Sequence, residues 1–435
     1  MISIKMPGTH LQHPKDQITD IIKRIYRAGL TTTSGGNVSI KDPEGNIWVT
    51  PSAIDKGSLT RKDIMCVKPD GEILGLHKPS SEFPFHKAIY EIRPDIKAVI
   101  HAHPPALVSF SIVRKIPNTN IIPQAKNICG PIGYAGYSLP GGLELGDKIA
   151  EQFSQGYDAV IMENHGIVVG GTDIRDAYIR FEALEFSART IIGASTVGKV
   201  NYLSDEQIEQ FEQAIPEDIP EMDDVEYPSD ELSIRTNMSE LVRRACDQGL
   251  MISSYGTVSV RWYDNNFLIT PRNIPRLEIR NEDIVQIRNG KREPGKLPSR
   301  ALKLIQQIYI ENPDVNSVIL TQSPNVMAFG VSDAKLDVRT IPESWIFLQD
   351  IPVVPFGKQF AGNDHIPEMI SQNTPSVIIQ NDSIIVTGNQ LLQTFDRLEV
   401  AEFSAKSLIL SKSIGDLVPI NERQIEDLRK KFLSN

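Results

Sequence analysis

Three imidazoles and one carboxylate carry the most specific chemistry in this sequence. His101 and His103 stand in IHAHPP, and His165 stands in ENHG. On a strand, residues two apart face the same way, so His101 and His103 can reach one ion. A third imidazole from a tight turn beside Gly166 would complete three nitrogen ligands around an open position, as in catalytic zinc sites. An HxH pair by itself is equally a structural or surface pattern, and that reading stays open here. Glu82, in KPSSEFPFH, opens a helix behind two serines. It reads as a proton-moving carboxylate or as a capping-box glutamate that stabilises a first turn. Ser34, Gly35, Gly36 and Asn37 in TSGGNVS, with Thr50 and Ser52 in VTPSAI, offer N–H and hydroxyl donors to a phosphate. The same segments also read as plain hairpin turns.

The elements that must position these groups are legible from periodicity. Residues 16–29 have apolar positions at helical spacing and a glycine stop. NVSI and NIWVT alternate like a hairpin around DPEGN. A helix is predicted over 82–93 and a short buried strand at AVIHAH. DAVIMENHGIVVGG reads as two strands about a tight turn, followed by a long helix from about Asp173 to Ile192. Alternating helices and strands predict an α/β layered domain, and the hairpins argue against a wholly parallel doubly wound sheet.

The chain has 435 residues, enough for two or three domains. Its 40% hydrophobic and 23% charged content is that of a globular protein, not of a disordered or fibrous one. A formal charge of −10 argues against a general nucleic-acid binder. Twelve Asp/Glu and no Lys/Arg fall between Ser204 and Glu231, so the remainder is near +2 (−10 minus −12). That stretch, with Pro216, Pro220 and Pro228, begins helix-like and continues as an exposed, proline-stiffened linker. Three cysteines are too few for a disulfide framework and fit a reducing compartment. The N-terminal MISIKMPGTHLQHPKDQ lacks the apolar stretch of a signal peptide, and no apolar run reaches the length of a membrane span. A cytoplasmic protein is expected.

The two sides of the acidic stretch repeat one pattern. AGLTTTSGGNVSI faces QGLMISSYGTVSV, KPSSEFPFHKAIYEIRPD faces LPSRALKLIQQIYIENPD, and DAVIMENHGIVVGG faces PSVIIQNDSIIVTG. The order and approximate spacing indicate tandem duplication. The expected division is 1–203, an acidic linker at 204–231, and 232–435.

TSGGNVS, TPSAI, KPSSEFPFH, IHAHPP, YSLPGG and ENHGIVVGG, in this order, resemble the class II aldolase/adducin family, the group of L-fuculose-phosphate aldolase and L-ribulose-5-phosphate 4-epimerase. The resemblance covers about residues 15–195, with a degenerate copy at about 235–415. It implies two tandem three-layer α/β/α domains, each around a mixed, mostly antiparallel sheet. It also implies that His101, His103 and His165 bind Zn²⁺ and that Glu82 is the acid/base. Gly36, Asn37, Thr50, Ser52, Ser80 and Ser81 would hold a substrate phosphate. Tyr137 matches a tyrosine that helps donate a proton in the aldolases, chosen over nearby Tyr134 by its spacing to Gly141. Ala53 stands where many relatives have glycine. The implied reaction is cleavage of a ketose 1-phosphate to dihydroxyacetone phosphate and an aldehyde through a metal-stabilised enediolate.

In the second half Ala301 replaces Glu82 and Arg300 replaces Ser81. Thr321 and Ser323 are read at the HxH positions, and Asn381, Asp382 and Ser383 stand for NHG. The sole histidine there is His365. A non-catalytic copy and one metal per chain are therefore expected, zinc or another divalent ion such as Mn²⁺ or Co²⁺. The resemblance further implies homo-oligomers, with two chains imitating a fourfold ring. The alternatives are an epimerase, dehydratase or decarboxylase acting on a phosphorylated sugar, and an adducin-like interaction module. The intact histidines and Glu82 oppose the last of these for the first half.

Overall fold

A computed structural model describes residues 12–215, 218–264, 266–360 and 365–433. Residues 1–11, which carry most of the leader reading above, lie outside the described residues. The chain forms two compact units: Met1–Pro117 with Lys126–Ala188, and Asn118–Ala125 with Arg189–Asn435.

The first unit is built on eight strands: β1 (Asn37–Lys41), β2 (Ile47–Val49), β3 (Met65–Val67), β4 (Ile73–Leu74), β5 (Ala98–Ala102), β6 (Ile132–Ala135), β7 (Ala159–Met162) and β8 (Gly166–Gly171). They lie in the order β4-β3-β2-β1-β5-β8-β7-β6, and every pairing is antiparallel except β6 with β7. β5, β7 and β8 are buried at every residue, as strands covered on both faces must be. On one face Phe85 and Ile89 of the Phe83–Ile92 helix meet Ile149 and Phe153 of the Leu143–Ser154 helix over Val99, Val160 and Val168. Each such buried side chain contributes about 1.5–3 kcal/mol. The Pro14–Arg27 helix turns Ile18, Ile21, Ile22 and Ile25 inward, with Pro14 at its first position and Gly29 (φ 70) beyond its end.

The second unit repeats this plan with β9 (Thr257–Tyr263), β10 (Asn266–Ile269), β11 (Val285–Arg288), β12 (Lys291–Arg292), β13 (Ser317–Thr321), β14 (Val353–Val354), β15 (Ser376–Ile379) and β16 (Ser383–Gly388). Their order is β12-β11-β10-β9-β13-β16-β15-β14, the same topology strand for strand. Two apolar clusters form its core. The Ser229–Asp247 and Leu391–Ser411 helices contribute to one, and the Leu302–Glu311 helix contributes to the other. Both units are thus mixed, mostly antiparallel α/β domains in tandem.

Two segments near the first half pack with the second unit. Asn381 Nδ2 donates to the carbonyls of Ile121 (2.8 Å) and Asn201 (2.9 Å), and Asn201 N–H donates to Val331 (2.7 Å). The acidic stretch also behaves differently from a free connector. Asp205–Gln213 is a helix closed by a Ser204 capping box, and the Ser229–Asp247 helix begins inside the stretch. Arg292 on β12 binds Asp218 (2.9 Å) and Glu221 (2.6 Å), while its N–H donates to Pro220 and its carbonyl accepts from Met222. The stretch is largely solvent-exposed yet tied to a sheet edge.

Candidate active site

The site grows from the crossing of β1, β5 and the β7–β8 turn. His101 lies on β5, and His103 is the first residue after its end at Ala102. His165 closes the three-residue connection between β7 and β8, where Asn164 takes φ 55. The turn folds back only because the next residue is Gly166. A Cβ there would stand 2.5 Å from the Ala102 carbonyl and 2.8 Å from His103 Cδ2. One ligand nitrogen from each of His101, His103 and His165 falls within 4.8 Å of the others, and their ring centroids are 4.7–5.1 Å apart.

The donor set fits a metal. His101 Nδ1 lies 2.9 Å from the Ile167 carbonyl, which can only accept, so this nitrogen carries the hydrogen and Nε2 keeps its lone pair. Nε2 of His101 and Nε2 of His103 are both buried with no hydrogen-bond partner. Uncompensated buried nitrogens are costly unless something binds them. Burial holds His103 at about 3 and His165 at about 4, assisted by the neighbouring imidazoles, so both are in the neutral form that ligates metals.

Glu82 is the N-cap of the Phe83–Ile92 helix, yet its side chain caps nothing. It turns inward instead. Oε2 accepts from Asn37 Nδ2 at 2.8 Å and lies 3.2 Å from His101 Nε2, while Oε1 lies 3.4 Å from His165 Nε2 and has no hydrogen-bond partner. Of the two readings of this glutamate, the geometry excludes the capping box. Burial pushes its carboxyl upward, but the facing His101 imidazole, then His165 and the Asn37 amide, outweigh burial and hold it below the usual carboxylate range.

The residues read as a phosphate cradle divide into two groups. Thr50 Oγ1 accepts from Val38 N–H (3.2 Å), Ser80 Oγ accepts from Glu82 N–H (3.3 Å), and Asn37 is engaged with Glu82. These three side chains hold the loops together. Ser52 is half-buried, Ser81 is exposed, and Gly36 (φ 70) sits with its Cα against the His101 carbonyl, where a Cβ would be 2.8 Å away. Lys56, missed in the sequence reading, is buried beneath the loop and donates to the Pro51 carbonyl at 3.0 Å.

Tyr137 is 60% exposed, and its backbone rather than its hydroxyl is engaged, with N–H donating to Glu163 Oε2 and the carbonyl accepting from Lys148. The hydroxyl of Tyr134 is instead shut off from solvent, and burial together with the Glu163 carboxylate raises it above the usual phenol value. His86 also went unread. It is fully buried and bonded to Asn37 Oδ1 (2.5 Å) and Ser39 Oγ (2.7 Å). The signal was present, since His86 is four residues from Glu82 on one helix face and Ser39 two from Asn37 on one strand face.

The second unit corrects one sequence expectation. Asn37 pairs across the sheet with His101, and Thr257, at Asn37's place in the repeat, pairs with Leu320. The HxH positions are therefore Leu320 and Gln322, not Thr321 and Ser323, whose hydroxyls donate to the Leu250 carbonyl. Ala301 stands at the helix start where Glu82 stands, and Asp382 takes the place of His165. Among the described residues, the only cluster of three or more metal-binding side chains is that of His101, His103 and His165.

Comparison with known proteins agrees with this arrangement. The Class II Aldolase and Adducin N-terminal domain matches residues 16–192 and again 236–409. An L-fuculose phosphate aldolase of Methanococcus maripaludis is 38% identical over 38% of this chain and 88% of its own length. A 3-oxo-tetronate 4-phosphate decarboxylase of Haemophilus influenzae is 28% identical over 46% of this chain and 95% of its own. A solved L-fuculose 1-phosphate aldolase shares 30% identity over 47% of this chain and 98% of its own, with a TM-score of 0.42. With two matched regions spanning most of its length and the motif residues gathered at one site, the chain belongs to the class II aldolase/adducin family.

Proposed function

We propose that the first unit is a metal-dependent sugar-phosphate aldolase that cleaves a ketose 1-phosphate to dihydroxyacetone phosphate and an aldehyde. The observation that carries this reading is the convergence of three imidazoles on one point with a buried, uncapped carboxylate beside them. A divalent metal held by His101, His103 and His165, here proposed to be zinc, would act as a Lewis acid on the substrate's carbonyl and hydroxyl oxygens. Glu82 moves the proton at the carbon that becomes part of dihydroxyacetone phosphate, and its free Oε1 is the oxygen available for it. Gly36, Ser52 and Ser81 orient the phosphate, with Asn37, Thr50 and Ser80 fixing the loops behind them. Tyr137 is proposed as proton donor on the family resemblance alone. The second unit is a non-catalytic copy, so one metal binds per chain.

A second reading is favoured by the Haemophilus relative named as a decarboxylase. Loss of carbon dioxide next to a carbonyl leaves the electron pair where aldol cleavage leaves it, so the same metal and carboxylate serve both. Incubating the metal-loaded protein with a panel of ketose 1-phosphates and with 3-oxo-tetronate 4-phosphate separates them. Dihydroxyacetone phosphate from the panel supports the aldolase. Carbon dioxide together with dihydroxyacetone phosphate from 3-oxo-tetronate 4-phosphate, with the panel left uncleaved, replaces it with the decarboxylase, and no product from either overturns both.

A further inference from the structure

A buried chain of hydrogen bonds leads away from Glu82. Asn37 Nδ2 donates to Glu82 Oε2 (2.8 Å), Asn37 Oδ1 meets His86 Nε2 (2.5 Å), His86 Nδ1 meets Ser39 Oγ (2.7 Å), and Ser39 Oγ meets Tyr90 OH (2.7 Å). All five side chains are buried. The carboxylate end fixes the direction of every hydrogen. An ionised Glu82 only accepts, so Asn37 turns its NH₂ toward it and its carbonyl oxygen toward His86. His86 Nε2 must then carry a hydrogen. Burial, with the neighbouring His101, holds this imidazole neutral with a value of about 3, so Nδ1 is an acceptor. Ser39 O–H donates to it and accepts in turn from Tyr90 O–H.

The duplicated unit shows which part of this chain the fold needs. Tyr309 still donates to Ser259 Oγ (3.0 Å), as Tyr90 does to Ser39. There the chain stops, and Ser259 Oγ turns to the Leu268 carbonyl (2.8 Å). At the positions of Asn37, His86 and Glu82 stand Thr257, Ile305 and Ala301. Ile305 is fully buried in an apolar cluster, and the strand order is unchanged. A hydrocarbon therefore suits this slot, and the imidazole has been lost together with the carboxylate it leads to.

We infer that His86 is a positioning residue, which locks the Asn37 amide so that it holds Glu82 Oε2 and leaves Oε1 as the proton-accepting oxygen. The role rests on the proposed proton transfer by Glu82. A freed amide could present its oxygen to the carboxylate and push it off line, and misplacement of a catalytic group by a fraction of an ångström costs turnover.

The test uses the metal-loaded full chain. Histidine ¹⁵N NMR should show His86 as the Nε2–H tautomer, unchanged from pH 8 to 5. An Nδ1–H tautomer or a protonated ring overturns the ordering. Hydrogen–deuterium exchange into dihydroxyacetone phosphate reads the Glu82 step without needing the aldehyde partner. His86→Leu should lower the exchange kcat about tenfold or more, with KM within about twofold, metal retained and melting little changed. His86→Gln, which offers an acceptor and a donor side by side, should recover most of the rate. Exchange at the wild-type rate in His86→Leu overturns the role, as does equal loss in the Leu and Gln variants. Glu82→Gln run alongside keeps the two claims apart. Undiminished exchange in it overturns the Glu82 reading, while the tautomer still decides the ordering.

Discussion

Asn37 lies directly across the β1–β5 ladder from His101, so one strand register sets both the amide that grips Glu82 and an imidazole of the candidate metal site. The carboxylate is consequently held from one side and approached by two imidazoles on the other. Glu82→Gln keeps the acceptor for Asn37 but cannot take a proton at neutral pH. We expect turnover to fall by about 10²–10⁴-fold while metal content stays unchanged. A variant with a tenth or more of wild-type kcat would remove Glu82 from the chemistry.

Metal stoichiometry is decided by the second unit's Leu320, Gln322 and Asp382. None is an imidazole, and Leu320 offers no donor at all. Elemental analysis should give a ratio near one per chain, and His103→Ala should bring it close to zero because two imidazoles rarely retain a catalytic ion. A ratio near two would contradict the reading of the second unit.

Gly166→Ala tests the turn rather than the ligands. The new methyl meets the Ala102 carbonyl and the His103 ring, both well inside van der Waals contact. The backbone must shift, at a cost of about 1–3 kcal/mol, and the third imidazole moves with it. Metal affinity should drop sharply even though every ligand is still present, which equilibrium dialysis would detect.

Ala53 adopts φ 55, the left-handed region that glycine enters freely, at the position where the sequence reading noted a departure from the family. Relief of that strain is partly offset by the greater freedom of glycine when unfolded, leaving a gain of about 0.5–1 kcal/mol for Ala53→Gly. Thermal melting of the two forms should show a small rise, and a fall would mean that the loop needs the methyl.

Acid should destabilise the metal-free protein through its buried imidazoles. The folded value of His86, about 3, lies below its ordinary 6.5, so the unfolded chain takes up the proton first. Its contribution is complete above pH 6.5 and is lost as pH falls toward 3, by about 1.4 kcal/mol per pH unit. His103 and His165 act in the same direction with smaller weight because they are partly exposed. Urea midpoints measured from pH 7 to 5 should fall, and His86→Leu should flatten the slope.

Much of this was legible in the sequence because it is local. The hairpin at DPEGN, the β7–β8 turn at ENHG and the HxH spacing are set by residues within a few positions of one another. What escaped depends on distant pairing. The one-residue offset at LTQSP is settled only by the ladder between Thr257 and Leu320, sixty-three positions apart. The docking of the acidic stretch needs Arg292, more than seventy residues beyond Asp218 and Glu221. His86 hid in an apolar helix, where a histidine ordinarily reads as core.

Segments 118–125 and 189–203 precede the acidic stretch in sequence but belong to the second compact unit. Asn381 holds the backbone of both, so a chain ending at the acidic stretch would carry these pieces away from the unit that they complete. The second product of such a cut would lack part of its compact unit, whereas 1–117 and 126–188 would stay together in the first. The two repeats are therefore not separable modules: a boundary drawn at the acidic stretch leaves the second without chain that the first repeat supplies.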